Sequence, residues 1–312
     1  MHLNFKGKDL MKLMDLSKAE INTILDVSAE LKRKLYRREP HDYLKNRAIA
    51  VLFEKQSTRT RTSFETAIIH LGAGGIYMTP DKMQLSRGEL VKDTARVLDR
   101  FVDGLVMRTF GQERLEEFAY YMQNPVINAL TDLTHPMQIF ADFLTIREKL
   151  GRLEGLKIVY AGDIWNVAHS MMAGCAIMGM DLYIPYPEGY EPNPDILKFA
   201  RETAAKSGSK LVLTHDMEEA ATDADIIYAN TWHSMGGPEK SKEQRIIDFM
   251  PFQINQKVMQ MAKPEALFMH PLPGYRGEDM TDEVIEGPQS IVFDQAENRL
   301  HTAKAVLSLF IG

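Results

Sequence analysis

Short apolar segments alternate with amphipathic stretches along most of the chain, and this pattern limits the fold more than any other feature. Eight segments are apolar nearly throughout and have strand length: 49–53, 104–108, 125–129, 157–161, 181–185, 211–214, 225–229 and 266–270. Such strands belong in parallel sheets that helices cover on both faces, whereas half-exposed hairpins alternate apolar and polar residues. The pattern therefore predicts an α/β fold with doubly wound parallel sheets.

Two helical patterns set the expected domain boundary. A chain of 312 residues exceeds the size of a typical single domain, so two domains are expected. One helical pattern runs from about His135 to Leu150 and would join the domains, and the other runs from Ala296 to Phe310 and would pack back on the first domain. The expected boundaries are 1–148 plus the C-terminal helix 296–312 for the first domain, and 149–295 for the second.

Local signals indicate one helix start and one loop. Ser17 and Glu20 have the spacing of a capping box, which predicts that a helix begins there. Proline and glycine punctuate the stretch 186–194, which indicates a loop after strand 181–185. That loop would lie at the carboxyl edge of the second sheet, where crevices form in open α/β folds.

Composition argues against several classes of protein. Apolar residues make up 45% of the chain and charged residues 26%, which is ordinary for a folded enzyme and unlike a disordered chain. No apolar run approaches the ~18 residues of a membrane-spanning helix, and the formal charge of −6 argues against a nucleic-acid partner.

Cys175 is the single cysteine, so an internal disulfide is impossible and a core position is expected. The N-terminus shows no charged-then-apolar leader, and we expect a reduced, cytoplasmic location.

The segment Ser57-Thr58-Arg59-Thr60-Arg61 combines hydroxyl and guanidinium donors between a strand candidate and a helix-compatible stretch over 62–69. Backbone N–H groups at a helix start lack intrahelical partners, and the helix dipole adds positive charge there. A phosphate would fit among these donors. The other interpretation is a capped helix with two solvent-facing arginines, and the segment alone does not choose between them.

Further polar side chains fall at strand ends and helix starts, where ligand loops lie in open α/β sheets. Arg108 ends a strand, His135 and Gln138 start the interdomain helix, and Arg299 starts the terminal helix. The stretch His270–Pro273 ends another strand, and its prolines predict an irregular loop. The helix start would depress the pKa of His135 and keep its ring neutral. Taken singly, such residues are more often caps, core residues or surface ion pairs.

In their order along the chain, these motifs resemble those of the aspartate/ornithine carbamoyltransferase family, from about residue 6 to the C-terminus. The family's phosphate motif corresponds to Ser57–Arg61, and its Arg-Thr strand end corresponds to Arg108-Thr109. Its His-Pro-x-Gln corresponds to His135–Gln138, and its His-x-Leu-Pro corresponds to His270–Pro273.

Within this family the chain is most similar to the ornithine branch. The similarity rests on Gly162-Asp163 with Asn166, on Ser234-Met235-Gly236 and on the signature over 293–299. It implies that the carbamoyl group of carbamoyl phosphate is transferred to the δ-amine of L-ornithine, giving L-citrulline and phosphate, as in arginine biosynthesis. The catalytic residues that it implies are Arg108, His135, Gln138 and Arg299. The implied carbamoyl phosphate-binding residues are Ser57, Thr58, Arg59, Thr60, Gln84, Arg108, His135, Gln138, Pro271, Leu272 and Arg299. The implied ornithine-binding residues are Asn166, Asn230, Ser234 and Met235.

Two positions depart from the ornithine pattern. Asn230 stands where that branch has an Asp that pairs with the substrate's α-ammonium, so a hydrogen bond would remain without charge assistance. Pro271 stands where the branch has Cys, which leaves the Pro271 and Leu272 carbonyls as acceptors for the attacking amine. His-Pro-Leu-Pro also resembles the aspartate branch, but that branch continues with Arg where this chain has Gly274, and it lacks the Ser-Met-Gly loop. The alternatives are transfer to putrescine, an acylated ornithine or aspartate, and a non-catalytic ligand-binding relative.

The resemblance also carries expectations about assembly and cofactors. Gln84 with Arg87-Gly88-Glu89 resembles a family loop that reaches into the neighbouring subunit's site. It implies a homotrimer, or a multiple of trimers, with the active site at the subunit interface. Closure over the substrates is expected, with 234–238 as the moving loop. No metal or organic cofactor is expected, because the sequence has no His-x-x-x-His, cysteine pair, Gly-x-Gly-x-x-Gly or Walker loop.

Overall fold

The computed structural model describes residues 4–233 and 240–312, and the chain divides into two compact units. The first unit comprises Met1–Leu144 and Glu297–Gly312, and the second comprises Thr145–Ala296. Among the described residues, no helix is both long enough and apolar enough to cross a membrane.

A parallel sheet forms the centre of the first unit. Its strands are β1 (Ala48–Phe53), β2 (Gly74–Met78), β3 (Gly104–Arg108) and β4 (Val126–Leu130). In the described part of this unit they lie in the order β2-β1-β3-β4. In register, Ile49 of β1 pairs with Gly75 on one side and with Gly104 on the other. β3 and β4 are buried along their whole length, as expected for strands in a parallel sheet with helices on both faces.

Helices accompany these strands along the chain. They are α1 (Lys18–Tyr36), α2 (Arg59–His70), α3 (Val91–Asp99), α4 (Gln112–Tyr121) and α5 (Pro136–Leu150). At the start of α1, the Ser17 hydroxyl accepts a hydrogen bond from the Glu20 N–H at 3.2 Å, and the Glu20 carboxylate accepts one from the Ser17 N–H at 2.9 Å. The capping box predicted from the sequence is therefore present.

The second unit has its own parallel sheet. Its strands are β5 (Lys157–Ala161), β6 (Asp181–Pro185), β7 (Leu211–Thr214), β8 (Ile226–Ala229) and β9 (Leu267–Met269). Over the described residues of this unit the order is β7-β6-β5-β8-β9, and the strand pairs are parallel. Its helices, with the C-terminal helix that ends the chain, are α6 (Asn166–Met178), α7 (Pro194–Ser207), α8 (Met217–Ala221), α9 (Lys242–Phe249), α10 (Gln256–Met261), α11 (Asp282–Ile285) and α12 (Val292–Phe310).

Most of α12 belongs to the first unit. Its far end approaches β3 closely, because a Cβ on Gly104 would lie 2.6 Å from Cδ1 of Ile311. A larger residue at position 104 would therefore require the Ile311 side chain to move. The two parallel sheets and their helices confirm the predicted α/β fold class.

The sequence analysis did not predict strand β2. β2 begins with Gly74 and Gly75, and its first three residues are exposed. Two glycines before a short apolar run are typical of a turn, and an exposed edge strand lacks the apolar run that marked the other strands. The other eight strands match their predicted positions to within one residue at each end.

The parallel topology brings the candidate site residues to two sheet edges. In the first unit, Arg108 ends β3, and the loops after β1 and β4 lead to Ser57 and His135. In the second unit, the loops after β5, β8 and β9 lead to Asn166, Asn230 and His270. Carboxyl ends of parallel strands meet at one edge, so each unit gathers its candidate residues where open α/β folds place ligands.

Candidate active site

The phosphate motif of the sequence starts helix α2, directly after β1. Ser57 Oγ accepts a hydrogen bond from the Thr60 N–H at 3.2 Å, which occupies one N–H of the helix start. Thr60 is buried, Ser57 and Arg59 are half-buried and Thr58 is exposed. This helix start therefore presents hydroxyl and guanidinium donors at the carboxyl edge of the sheet.

Arg61 has a different environment from the rest of the motif. Its Nε donates to Glu65 Oε1 at 3.1 Å, one helical turn along α2. Its guanidinium carbon lies 3.5 Å from the centre of the Tyr77 ring, a cation–π contact. The interpretation as a helix with outward-facing arginines is thus correct for Arg61.

Arg108 ends β3 and is a buried cation. Its NH1 group lies 3.4 Å from Ser57 Oγ and 3.5 Å from Thr60 Oγ1, at the limit of hydrogen bonding. Among the described residues, no carboxylate forms an ion pair with it, and its Nε has no hydrogen-bond acceptor. Burial, together with the positive charge of Arg59, lowers the pKa of Arg108 to about 10. A buried guanidinium without a carboxylate is costly, and an anion would compensate it.

Arg299 and Gln138 form a second buried part of the same cluster. Arg299 NH2 donates to Thr60 Oγ1 at 2.9 Å, and its NH1 donates to Gln138 Oε1. Gln138 Nε2 in turn donates to Asp142 Oδ1 at 2.8 Å. Arg299 is far from the motif in sequence, yet α12 brings it directly against α2. The amide of Gln138 is held by these two contacts, and one lone pair of its oxygen is left for another donor.

His135 lies immediately before α5 and is buried beside the arginines. Burial, together with the charges of Arg299 and Arg108, holds the pKa of His135 well below its usual value. Burial and the two neighbouring cations thus both favour the neutral ring that the sequence predicts. Every side-chain charge that shifts the pKa values of Arg108 and His135 comes from an arginine.

Charged residues that the sequence analysis missed support this cluster. Glu54 accepts a hydrogen bond from the Thr109 hydroxyl and one from Arg114 Nε at 2.8 Å, and its own N–H donates to the Arg108 carbonyl at 2.8 Å. Lys55, which is buried, pairs with Asp132 and lies 4.4 Å from the centre of the Phe110 ring. The sequence does contain a signal for these residues: the charged pair Glu54-Lys55 stands between the apolar strand β1 and the phosphate motif.

Gln84 lies apart from these residues. It is exposed in a 3-10 turn, Gln84–Arg87, and the described residues show no hydrogen bond between it and the Arg108 cluster. Its role at a neighbouring subunit stays a prediction.

In the second unit, the loops after β5 and β8 pack tightly together. Gly162 has a φ of +153°, and a Cβ there would lie 2.4 Å from the Asn230 carbonyl oxygen, so glycine is required. Asn230 is buried, and its Nδ2 donates to Tyr160 Oη at 2.7 Å. Tyr160 Oη itself donates to the Asp163 carbonyl at 3.0 Å, so it needs a donor on its other side. This requirement turns the nitrogen of the Asn230 amide toward Tyr160 and leaves its oxygen for another partner.

Asn166 and Asp163 are also buried at this edge of the sheet. Asn166 is the first residue of α6, which follows β5. Asp163 forms a buried ion pair with Arg245 NH2 at 2.5 Å, and the Nε of Arg245 donates to the Trp232 carbonyl at 2.5 Å. Because β5 and β8 are neighbours, the loops carrying Asn166 and Asn230 leave the sheet side by side. The predicted ligands Ser234 and Met235 lie outside the described residues, as does the rest of 234–239.

The loop after β9 is irregular, as its prolines predict. Leu272 has a φ of +55°, and the Leu272–Pro273 bond is cis. His270 and Asp279, both fully buried, form a 2.7 Å contact beneath the loop. Among the described residues, no donor bonds to the carbonyl of Pro271 or Leu272. Two adjacent acceptors are therefore available, which suits the N–H groups of an amine.

The comparisons with known proteins cover the whole chain. Residues 8–148 match the family model for the carbamoyl-P binding domain of aspartate/ornithine carbamoyltransferase, and residues 154–310 match the model for its Asp/Orn binding domain. The ornithine carbamoyltransferase of Thermococcus kodakarensis is 47% identical over 312 residues, covering 100% of this chain and 99% of the relative. The anabolic ornithine carbamoyltransferase of Pyrococcus furiosus is 46% identical, again over 100% of this chain and 99% of the relative.

A solved structure agrees with these relatives. The ornithine carbamoyltransferase structure from Pyrococcus furiosus superposes with a TM-score of 0.95 at 46% identity, covering 100% of this chain and 99% of that one. Both family models match, and the relatives are similar over their full length. The chain belongs to the aspartate/ornithine carbamoyltransferase family.

Proposed function

We propose that this enzyme transfers the carbamoyl group of carbamoyl phosphate to the δ-amine of L-ornithine, giving L-citrulline and phosphate. The observation that carries the first half of the proposal is Arg108. It is a buried guanidinium that contacts hydroxyls in place of carboxylates, and its neighbours Arg59 and Arg299 are also cationic. A dianionic phosphate compensates such a cluster, whereas a neutral ligand leaves the charge uncompensated.

The donor substrate divides between two groups of residues in the first unit. Ser57, Thr58, Arg59 and Thr60 hold the phosphate at the start of α2, with Arg108 and a Gln84 supplied by a neighbouring subunit completing the site. His135, Arg108 and Thr60 donate to the carbamoyl oxygen, so that negative charge developing on this oxygen is stabilised. A neutral His135 serves as a donor here without adding a proton to the leaving group. Gln138, fixed by Arg299, orients the carbamoyl NH₂.

The acceptor substrate is assigned to the second unit. Asn166 binds the α-carboxylate, and the amide oxygen of Asn230, whose nitrogen is engaged by Tyr160, accepts from the α-ammonium. Ser234 and Met235 are assigned as further ornithine-binding residues. The Pro271 and Leu272 carbonyls accept the N–H groups of the δ-amine. The amine must be neutral, because its lone pair attacks the carbamoyl carbon. The C–O bond to phosphate then breaks, and a phosphate oxygen takes the proton that the amine releases.

The relatives support ornithine as the acceptor, since those compared are named ornithine carbamoyltransferases at 46–47% identity. Asn166 supports an amino acid over putrescine, which has no carboxylate. The observation that favours a second candidate is Asn230, because an amide binds the acylated α-nitrogen of an acylornithine as readily as an ammonium. The further alternatives are aspartate as the acceptor and a non-catalytic relative that binds carbamoyl phosphate without turnover.

A colorimetric assay for ureido products distinguishes these functions. The purified protein is incubated with carbamoyl phosphate and, separately, ornithine, acetylornithine, putrescine and aspartate. We expect turnover with ornithine to exceed turnover with each other amine. If turnover is highest with another amine, that amine is the acceptor and ornithine is not. If the protein binds phosphate but turns over none of the amines, it is a non-catalytic relative.

A matched pair of variants tests the donor site. Arg108→Gln removes the buried cation, and we expect about a 10²- to 10³-fold loss of kcat/KM for carbamoyl phosphate. Arg96→Gln is the control, because Arg96 is an exposed arginine of α3 in the same unit. Loss of activity in the control alone, or an unchanged Arg108→Gln enzyme, contradicts the assignment.

The proposal extends to assembly and location. We infer a homotrimer, or a multiple of trimers, in which the loop carrying Gln84 completes a neighbouring subunit's site, and a cytoplasmic location. Exposure of Gln84 supports the first inference. The edge strand β2 carries Ile76, which is 47% exposed, and Ile69 of α2 is 71% exposed. A second subunit would cover such apolar side chains.

A further inference from the structure

The loop that follows β9 contains two consecutive backbone carbonyls, those of Pro271 and Leu272, to which no donor of the described residues bonds. Pro271 has no N–H, so the next backbone donor after His270 is the Leu272 N–H, which donates to His270 Nδ1 at 2.8 Å. Leu272 has a φ of +55°, an uncommon conformation for a branched residue. The bond to His270 holds Leu272 in this conformation, and with it the direction of the peptide groups on either side.

Three hydrogen bonds hold His270 in place, and the bond from the Leu272 N–H is the first of them. Its backbone N–H donates to Gln295 Oε1 at 2.9 Å, and its Nε2 lies 2.7 Å from Asp279 Oδ2. The side chains of His270 and Asp279 are both 0% exposed. Asp279 also accepts from the Tyr275 N–H, at 3.2 and 3.3 Å from its two oxygens, so it closes the far side of the same loop.

These contacts determine which ring nitrogen carries the proton. The Leu272 N–H can only donate, so Nδ1 must present its lone pair. An ionised carboxylate can only accept, so Nε2 must carry hydrogen. Both bonds form together only in the neutral Nε2–H tautomer, in which both ring nitrogens are occupied.

We propose that His270 is a positioning residue for the acceptor amine. Asp279 fixes the tautomer of His270, His270 takes the Leu272 N–H, and the carbonyls of Pro271 and Leu272 are thereby held as a pair of acceptors. A primary amine has two N–H groups, and two fixed acceptors bind both of them and fix the direction of its lone pair. His270 transfers no proton in this role, since its nitrogens are buried and engaged. The inference rests on the proposed function, because it concerns the amine that attacks carbamoyl phosphate.

Two substitutions test the contact of His270 with Leu272 and its contact with Asp279 separately. In His270→Asn, the amide oxygen takes the place of Nδ1 and still accepts from Leu272, while the contact with Asp279 is lost. In His270→Gln, the longer side chain places a donor near Asp279, while the Leu272 N–H loses its acceptor. We expect His270→Gln to raise the KM for ornithine by about tenfold or more, the factor that corresponds to one lost hydrogen bond. His270→Asn should raise it by about threefold or less, and the KM for carbamoyl phosphate should stay unchanged in both variants.

Equal effects of the two variants on the ornithine KM would overturn the proposal, and so would an increase confined to carbamoyl phosphate. Thermal unfolding of each variant shows whether it is folded. A second readout is the spectrum of the wild-type enzyme with ¹⁵N-labelled histidine rings, in which His301→Gln identifies the signals of His301, another fully buried ring that contacts a carboxylate. We expect the signals of the Nε2–H tautomer for His270, and an Nδ1–H tautomer of His270 would disprove the arrangement.

This second readout is independent of catalysis. If ornithine yields no ureido product with the wild-type enzyme, the proposed function fails while the tautomer is still observed. If ornithine is turned over but the tautomer is the other one, the positioning role fails and the proposed function stands.

Discussion

At Asn230, one hydrogen bond determines which atom of the side-chain amide is available to a ligand. Its amide nitrogen is required by Tyr160 Oη, whose own proton is committed to the Asp163 carbonyl. Asn230→Asp adds charge assistance for an α-ammonium and should lower the KM for ornithine several-fold. The same change removes the donor to Tyr160, so we expect the free energy of unfolding to fall by about 1–2 kcal/mol.

Steady-state kinetics and denaturant unfolding measure the two effects of Asn230→Asp separately. Tyr160→Phe is the matched companion, since it removes the same hydrogen bond without adding charge. An ornithine KM that does not fall in Asn230→Asp would show that position 230 does not contact the α-ammonium.

Arg59 is the second residue-scale test, because its charge acts on Arg108 as well as on a ligand. Arg59→Ala should abolish most turnover while the fold is retained, and it should restore part of the depressed pKa of Arg108. Kinetics at saturating carbamoyl phosphate measure the turnover, with Arg96→Ala as the exposed control. Near-normal kcat in Arg59→Ala would refute its place in the phosphate site.

At the scale of elements, the capping box is the feature that starts α1. Ser17→Ala removes the acceptor for the Glu20 N–H, and we expect it to lower the free energy of unfolding by about 1 kcal/mol. Thr23→Ala is a control in the same helix, since the Thr23 hydroxyl donates to the Ala19 carbonyl one turn earlier and caps no helix end. It should change stability by about 0.5 kcal/mol or less. Equal losses in the two variants would argue against capping as the cause.

We expect His301 of helix α12 to make the stability of the first unit sensitive to acid. His301 is fully buried, and burial lowers its pKa to about 4, although Glu297 Oε1 at 3.0 Å opposes the shift. A histidine with a depressed pKa binds fewer protons when folded than when unfolded. Stability is therefore complete above pH ~6.5 and falls as the pH decreases toward about 4.

The loss of stability attributable to His301 is on the order of 3 kcal/mol across that window. Urea unfolding between pH 7 and pH 4 measures it, and His301→Gln should flatten the slope because the variant has no titrating ring. A slope that is the same in both proteins would assign the acid sensitivity to other groups.

At the scale of the whole molecule, the proposed assembly is the property to test. A homotrimer has three times the chain mass of 35.5 kDa, and light scattering after size exclusion measures this directly. If the Gln84 loop serves a neighbouring subunit, Gln84→Ala should reduce carbamoyl phosphate binding with no change in mass. A monomer with full activity would disprove the shared site.

The net charge of −6 is the other whole-molecule property, and it contrasts with the arginine cluster. Salt screens exposed charges more than buried ones, so attraction of the anionic donor should weaken with ionic strength while ornithine binding changes less. A rise in the KM for carbamoyl phosphate between low and high salt checks this expectation.

The sequence by itself determined the α/β class, the capping box of α1, the position of most strands and the family. These features are carried by local periodicity and by short motifs, both of which are set along the chain. β2 was missed because its two glycines and exposed face give no apolar run, although pairing with β1 stabilises it as an edge strand.

Only the tertiary structure decided which side chains meet. It turned Arg61 away toward Glu65 and Tyr77, placed Arg299 against Thr60, left Arg108 without a carboxylate among the described residues, and set His270 against Asp279. It also showed that Tyr160 determines the orientation of the Asn230 amide. The physical reason is that sequence spacing fixes neither the direction of a side chain nor its distant partners, whereas packing and the need to satisfy buried polar groups fix both.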